Sequence, residues 1–303
     1  MNTVICIPTL NIGAGVDALV RSLQQQEIES EVLVIDSSST DGAVELFEGM
    51  GARVHTIPRT SFDHGATRQL ALSLFPGADI IIYLTQDAIL ASAASIKNIL
   101  ACFDDDAVGA ACGRQLPHKD ASAIAAHARL FNYPDESLVN SNDDISARGI
   151  KTAFISNSFA AYRRTALMEV GGFPTGAILS EDTYVAAKML QAGWKLAYCA
   201  EATCYHSHNY SIKQEFQRYF DIGVFHGRER WYLDLLGRAE GEGKKFVVSE
   251  LRHLQKSGLF LIPSAIARTG CKLLAYKLGQ SEKFLPLWLK KRLSMNKGHW
   301  EST

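Results

Sequence analysis

The run IIIYLTQDAIL, residues 80–90, decides the fold. Five apolar or aromatic residues, Ile80 to Leu84, lead into a polar tip at Thr85, Gln86 and Asp87. A short, unbroken run of this kind reads as a strand buried on both faces, as in a parallel sheet. Open parallel sheets present ligand groups at the carboxyl ends of their strands. Asp87 stands at such an end, either as a turn residue or as an oxygen donor to a metal ion.

Around this run, strands alternate with helices. TVICIP (3–8), EVLVID (31–36) and ARVHTIP (52–58) read as strands, and AVGAACG (107–113) as another. Helices are predicted over about 14–27, 41–50, 65–75 and 92–103; the first carries Val16, Leu19, Val20 and Leu23 on one face. This order implies βαβ units and a mostly parallel central sheet flanked by helices, an α/β Rossmann-like fold. The rhythm breaks after about residue 114. NYPDESLVNSNDDISARG (132–149) reads as a polar loop, and KLAYC (195–199) and ATCYH (202–206) as two short strands. A helix is expected from Ser211, and from about 244 the chain reads as helical and basic.

The 303 residues carry a net charge of −1, which hides a division. From Lys244 onward there are 12 Lys+Arg against 3 Asp+Glu, leaving 19 against 29 in the rest. The six cysteines show no C-x-x-C spacing and read as reduced core thiols. The start, MNTVICIPTLN, reads as a strand and not as a signal peptide. The longest uncharged stretch of the tail, Ser257 to Ala267, is broken by Pro263, so no membrane-crossing helix is expected.

The polar residues that could carry chemistry follow the strands. Pro8 suits a strand end because it donates no hydrogen bond, and Thr9 and Asn11 follow it. They read equally as ligand contacts or as ordinary loop residues. Asp36 ends its strand where an acid can meet a nucleotide base or ribose. No G-x-G-x-x-G follows the first strand and no G-x-x-x-x-G-K-[ST] occurs, which disfavours a nicotinamide site and excludes a P-loop. Residues 9–20 hold no Lys or Arg, against a nucleotidyltransferase phosphate loop. Arg68, in FDHGATRQ, is either a diphosphate partner or a solvated helix arginine. Glu181–Asp182 opens a helix, as cap-and-dipole acids or with one as a general base. His206 and His208 share one face of an extended segment, as metal ligands or as ordinary histidines. No H-E-x-x-H or C2H2 pattern accompanies them.

Together IPTLN, VLVIDSSSTDG, FDHGATRQLAL, YLTQDA, GGFP, LSED and CYHSHNYS resemble, in order and spacing, the family 2 inverting glycosyltransferases of GT-A fold. The TQDA, FDHG and H-x-H forms look most like bacterial rhamnosyltransferases of O-antigen and capsule synthesis. The resemblance covers about residues 3–230. It implies a GT-A domain over 1–235, with a nucleotide-binding part at about 1–114 and an acceptor part at about 115–235. A basic helical region follows at 236–303. It also implies that Pro8, Thr9 and Asn11 line the nucleotide pocket, with Asp36 at the base and Arg68 at the diphosphate. Gln86–Asp87 falls in the family's D-x-D region, with Asp87 as metal ligand and Thr85 where many members have an acid. Asp182 would be the catalytic base, beside Glu181 at the nucleotide-sugar site, with His206 and His208 as further metal ligands. Mg2+ or Mn2+ would be the cofactor. The donor implied is dTDP-rhamnose and the acceptor a lipid-linked (undecaprenyl diphosphate) saccharide. Other donors (UDP-GlcNAc, a UDP-hexose) or a non-catalytic sugar-nucleotide-binding module are the alternatives. The enzyme would work in the cytoplasm, peripherally on the inner membrane. The basic tail, with Lys290, Lys291 and Arg292, reads either as a membrane-binding surface or as a solvated helical face. No nucleic-acid recognition motif appears.

Overall fold

The structure, a computed structural model, describes residues 1–237 and 240–301. Two compact units interleave along the chain. The first comprises 1–116, 133–175 and 181–206; the second comprises 117–132, 176–180 and 207–303.

The first unit is built on a nine-stranded sheet in the order β3-β2-β1-β4-β8-β6-β9-β5, with β7 also on β9. The strands are β1 (Thr3–Thr9), β2 (Glu31–Asp36), β3 (Arg53–Thr56), β4 (Ile80–Leu84) and β5 (Ile89–Leu90), then β6 (Val108–Leu116), β7 (Leu138–Asn140), β8 (Phe159–Arg163) and β9 (Lys195–Tyr205). β3, β2, β1 and β4 are mutually parallel. β8 runs antiparallel to both β4 and β6, and β9 parallel to β6. The sheet is thus mixed, with its parallel part at the amino-terminal end of the chain.

Helices α1 (Val16–Gln24), α2 (Ala43–Gly49), α3 (His64–Leu74) and α4 (Ser95–Ala101) are the crossovers. α1, α2 and α4 lie within the stretches expected for them, and α3 begins one residue before its own. β4, the opening run, is fully buried along its whole length. Ile5, Ile7, Val34, Ile80, Ile82 and Leu84 form one core with Leu19, Leu23, Phe47, Ile96 and Ile99 of the helices. Burying such side chains contributes about 1.5–3 kcal/mol each against the unfolded chain.

Two expectations change around the sheet. The segment read as a polar loop at 132–149 holds β7 and a short helix, α6 (Ile145–Arg148), after α5 (Ala123–Asn132). β7 is only three residues long, too short to show a period. KLAYC and ATCYH are one strand, β9: opposite Gly113 and Arg114 of β6 its register jumps from Cys199 to Thr203. The exposed Glu201 sits on that bulge, which reads in sequence as a gap. α7 (Arg164–Glu169) and α8 (Glu181–Gln191) complete the first unit.

The second unit is helical. Besides α5 it contains α9 (Ile212–Arg228), α10 (Arg230–Leu236), α11 (Glu240–Ser257), α12 (Ile262–Gln280) and α13 (Leu287–Leu293). α9 starts at a capping box in which Ser211 and Gln214 bond each other's backbone N–H. Pro263 does not break α12: it sits in its first turn, where the missing N–H leaves no bond unmade. The helix therefore runs on through Gln280. Residues 259–280 are long enough to cross a bilayer and hold an 18-residue window with a mean hydropathy of 1.2.

Candidate active site

The parallel strands bring their carboxyl ends to one edge. Thr9 lies opposite Asp36 in the β1–β2 register, and Cys6 opposite Tyr83 in the β1–β4 register. Asp36 is almost fully buried. Its Oδ1 accepts from Thr9 Oγ1 at 3.0 Å and from Ser39 Oγ at 2.5 Å, and its Oδ2 from Ser39 N at 2.8 Å. The carboxylate thus fastens the β1 end to the loop after β2. Asn11 tightens the same junction: its N–H donates to Ser39 Oγ and its Oδ1 accepts from Thr40 N, both at 2.9 Å. Asn11 and Ser38 hold φ of 45° and 61°, left-handed values unusual outside glycine and turn residues. The Gln86 amide clips the β4 end to β1: Oε1 accepts from Leu10 N at 2.7 Å and Nε2 donates to Leu10 O at 3.2 Å. Pro8, without an N–H, sits in register with Ile35.

Asp87, in the turn after β4, lies 3.4 Å from His206 Nε2 through its Oδ1. The ladder beside them holds this pair. β5 and β9 pair Ile89 with Tyr205, so one residue precedes Ile89 and Asp87 stands just before it, while His206 directly follows Tyr205. Gln115 Nε2 donates to Ser156 Oγ at 3.0 Å, which turns Gln115 Oε1 toward His206 Nδ1 at 2.8 Å. Nδ1 is thereby placed to donate to that oxygen, with Nε2 on the side of Asp87. Imidazoles that bind metals are held this way, with the second nitrogen donating to an oxygen. Thr85, two residues before Asp87, has its hydroxyl buried without a hydrogen bond. A carboxylate oxygen and an imidazole nitrogen facing each other fit a divalent cation that accepts oxygen and nitrogen ligands. His208 belongs to the second unit, where its ring stacks on Tyr210 at 4.8 Å.

The acid pair opens α8. Glu181 is buried, and its Oε1 pairs with Arg68 Nη1 at 3.0 Å. Arg68 is buried as well, on α3, so it is not a solvated helix arginine. Its Nη1 also donates to His64 O at 2.9 Å, while its Nε makes no hydrogen bond. Asn157 bridges both acids: Nδ2 donates to Glu181 Oε1 and the backbone N–H to Asp182 Oδ2, each at 3.1 Å. Tyr162 Oη donates to Asn157 Oδ1 at 2.8 Å and fixes the amide.

The two carboxyls are driven apart. Burial pushes Glu181 up, but Arg68, His64 and the Asn157 amide outweigh it and hold Glu181 below its usual range. Burial, then the Glu181 charge, push Asp182 up to about 6, against the bonds from Asn157 and Thr183 and the Arg68 charge. Paired carboxyls separated in this way mark acid–base sites.

The FDHG and GGFP motifs are a close packing of backbones. A Cβ on Gly65 would stand 1.8 Å from Pro174 O. Gly172, at φ 73°, abuts the Gln69 side chain, whose Oε1 accepts from Phe173 N at 2.9 Å. Neither glycine tolerates a side chain, and the contact sets the start of α3, which carries Arg68. Gln115, Ser156 and Asn157 were not expected from the sequence. Lone amides and hydroxyls carry no periodicity, and the partners of Asn157 lie 24 and 25 residues away. A cleft of about 580 Å3, lined by Asn98, Cys102, Ser137, Tyr198, Cys199 and Glu201 among others, takes no part: none of the expected site residues lines it.

A model of the glycosyl transferase family 2 domain matches residues 4–171. The chain is 48% identical to the O-antigen chain rhamnosyltransferase RfbN of Salmonella typhimurium strain LT2, over 100% of this chain and 97% of that one. It is 47% identical to the O-antigen chain rhamnosyltransferase WbaN of Salmonella anatum, over 98% and 95%. Among solved structures it is similar to the mannosyltransferase PcManGT of Pyrobaculum calidifontis in complex with GDP-Man and Mn2+. The TM-score is 0.58 at 17% identity, covering 96% of this chain and 84% of that one. It is also similar to S. aureus TarS 1–349 in complex with UDP-GlcNAc, with a TM-score of 0.57 at 16% identity, covering 100% and 91%. At these identities the structural likeness shows the fold, which is GT-A.

Proposed function

We propose, from the premise that the chain belongs to glycosyl transferase family 2 and is a glycosyltransferase, that the sugar it moves is L-rhamnose. The donor is dTDP-rhamnose, and the acceptor is a hydroxyl of a lipid-linked saccharide in surface polysaccharide synthesis. The enzyme works at the cytoplasmic face of the inner membrane. One observation carries this reading: near-half identity along the full length to an O-antigen chain rhamnosyltransferase.

The residues then take these parts. Asp182 removes the proton from the acceptor hydroxyl; a carboxylate with a pKa of about 6 is still ionised at neutral pH and more basic than an ordinary one. The oxygen attacks the anomeric carbon from the face opposite the diphosphate, and a single displacement inverts the centre. Glu181 stays charged and raises the basicity of Asp182. Arg68, which holds Glu181, is the cation for the diphosphate. Pro8, Thr9 and Asn11 wall the nucleotide pocket, with Gln86 as its clip. Asp36 keeps one lone pair of Oδ2 for the base. Asp87 and His206 would hold a Mn2+ or Mg2+ ion; the mixed oxygen and nitrogen set favours Mn2+. Such an ion, when bound, offsets the charge of the leaving diphosphate.

A panel of sugar nucleotides, each with and without Mn2+, tests the reading through hydrolysis and thermal protection. dTDP-rhamnose should give the largest effect, and only fully with the metal. A larger effect from UDP-GlcNAc or a UDP-hexose would sink the rhamnose assignment, and none from any donor would sink a catalytic role.

A further inference from the structure

The second unit carries a helix whose polarity is inverted. On α12 the two interior cations face its own unit. Arg268 Nη1 pairs with Glu215 Oε1 at 3.1 Å and donates to Tyr210 O at 2.8 Å. Lys272 lies over the rings of Tyr219 and Phe246, 5.5 and 5.1 Å from their centroids. The outward stripe is apolar instead. Ile266, Leu273 and Leu274 recur at helical spacing, with Gly270 between them, and the stripe ends at the exposed Lys277. Phe260 precedes the helix, and Phe284 and Trp288 follow it. These six large apolar residues are 57–81% exposed. Ordinary surface helices bury their apolar stripe and expose their charges.

We propose that this face of α12, with the aromatic residues at its two ends, docks on an anionic lipid bilayer. Charge favours lipid over a second copy of the chain. From Lys244 onward the chain has 12 Lys+Arg against 3 Asp+Glu, so two copies meeting here would bring like charges together. An anionic leaflet has the opposite sign. The helix lies on the bilayer and does not span it. Glycines fasten α12 along α9: a Cβ on Gly279 would stand 2.1 Å from Phe220 O, and one on Gly223 2.2 Å from Tyr276 O. α9 carries Lys213, Glu215, Arg218, Asp221 and Arg228 and cannot follow it into hydrocarbon. Lys290 is not part of the contact. It is bonded to Glu282, lies 5.2 Å over the Trp300 ring, and holds the end of the chain together. Apolar insertion, with cations at the rim, carries the docking.

The inference deepens the proposed use of a lipid-linked acceptor and rests on that reading for its purpose only. Its test therefore uses neither acceptor nor sugar nucleotide. The full chain is sedimented with vesicles of phosphatidylcholine, with and without phosphatidylglycerol. The parent should bind the phosphatidylglycerol vesicles. The triple variant Ile266→Asp, Leu273→Asp, Leu274→Asp should bind about tenfold or more weakly while keeping its circular dichroism. Independently of any fold change in that variant, brominated acyl chains should quench fluorescence in the parent, and Trp288→Phe should remove that quenching. Three results would overturn the proposal. One is equal binding by a folded triple variant. Another is failure of the parent to bind either vesicle or to be quenched through Trp288. The last is a lipid-free dimer of the parent that the triple variant loses, which would make this face a self-interface.

Discussion

At the scale of single residues, the acid pair shows how position sets chemistry. Glu181 and Asp182 are neighbours, yet one is held charged by a buried arginine and the other is left as the weaker acid. Asp182→Asn keeps the shape and removes the basic lone pair. Transfer should fall about 10²–10⁴-fold, with donor affinity measured by calorimetry unchanged. Glu181→Gln removes the like charge that raises Asp182. With the deprotonated form active, as proposed, the acid limb of kcat/KM, expected near pH 6 in the parent, should move to lower pH. A limb that stays in place would show that Glu181 has no electrostatic part. Gln115→Leu leaves both ligands of the proposed metal site in place but removes the acceptor that sets the His206 tautomer. Mn2+ affinity should fall about 10–100-fold by titration. Asp36, Asp87, Asp182 and His206 all lie where strand and helix ends place them, so their positions were legible from the sequence. The Arg68–Glu181 pair was not, because 113 residues separate the partners and no local pattern links them.

At the scale of elements, periodicity was a sound guide wherever a segment buries a continuous face. β1, β2, β4 and the crossover helices follow their apolar patterns. It failed where the backbone departs from regularity or an element is very short. The bulge in β9 read as a gap, β7 as a loop, and Pro263 as a break. Glycine spacing carried information that a hydrophobic pattern does not. Gly279 and Gly223 let α12 and α9 touch through their backbones, whereas Gly270 faces open space. Gly279→Ala should therefore lower the thermal midpoint by several degrees, on the order of 2–4 °C per kcal/mol lost. Gly270→Ala, with nothing within 4 Å of the added methyl group, should leave it unchanged or raise it slightly. Parallel melting curves of the two variants check this.

At the scale of the whole molecule, the sequence is partitioned by charge and by task. An acidic sheet-bearing part carries the candidate site, and a basic tail carries the exposed apolar helix. Donor and metal should act on the melting of the whole chain as linked ligands. With dTDP-rhamnose at about 100 times its Kd, in the presence of Mn2+, the gain should be about 2.7 kcal/mol, rising logarithmically with concentration. Asp87→Ala should abolish the Mn2+-dependent part of this gain and keep the rest. Loss of both parts together would mean that the strand end holds the nucleotide and not the ion.

The ladder that sets Asp87 beside His206 joins residues 119 apart in the chain. That separation is also a delay. At about 5–20 residues per second, some 6–24 s pass during synthesis between the two side chains. The parallel strands β1 to β4 emerge first and can pair, but the proposed cation-binding pair cannot exist until β9 has been made. On the proposed roles, a nascent chain is therefore unable to trap a metal at this site before most of its length has been made.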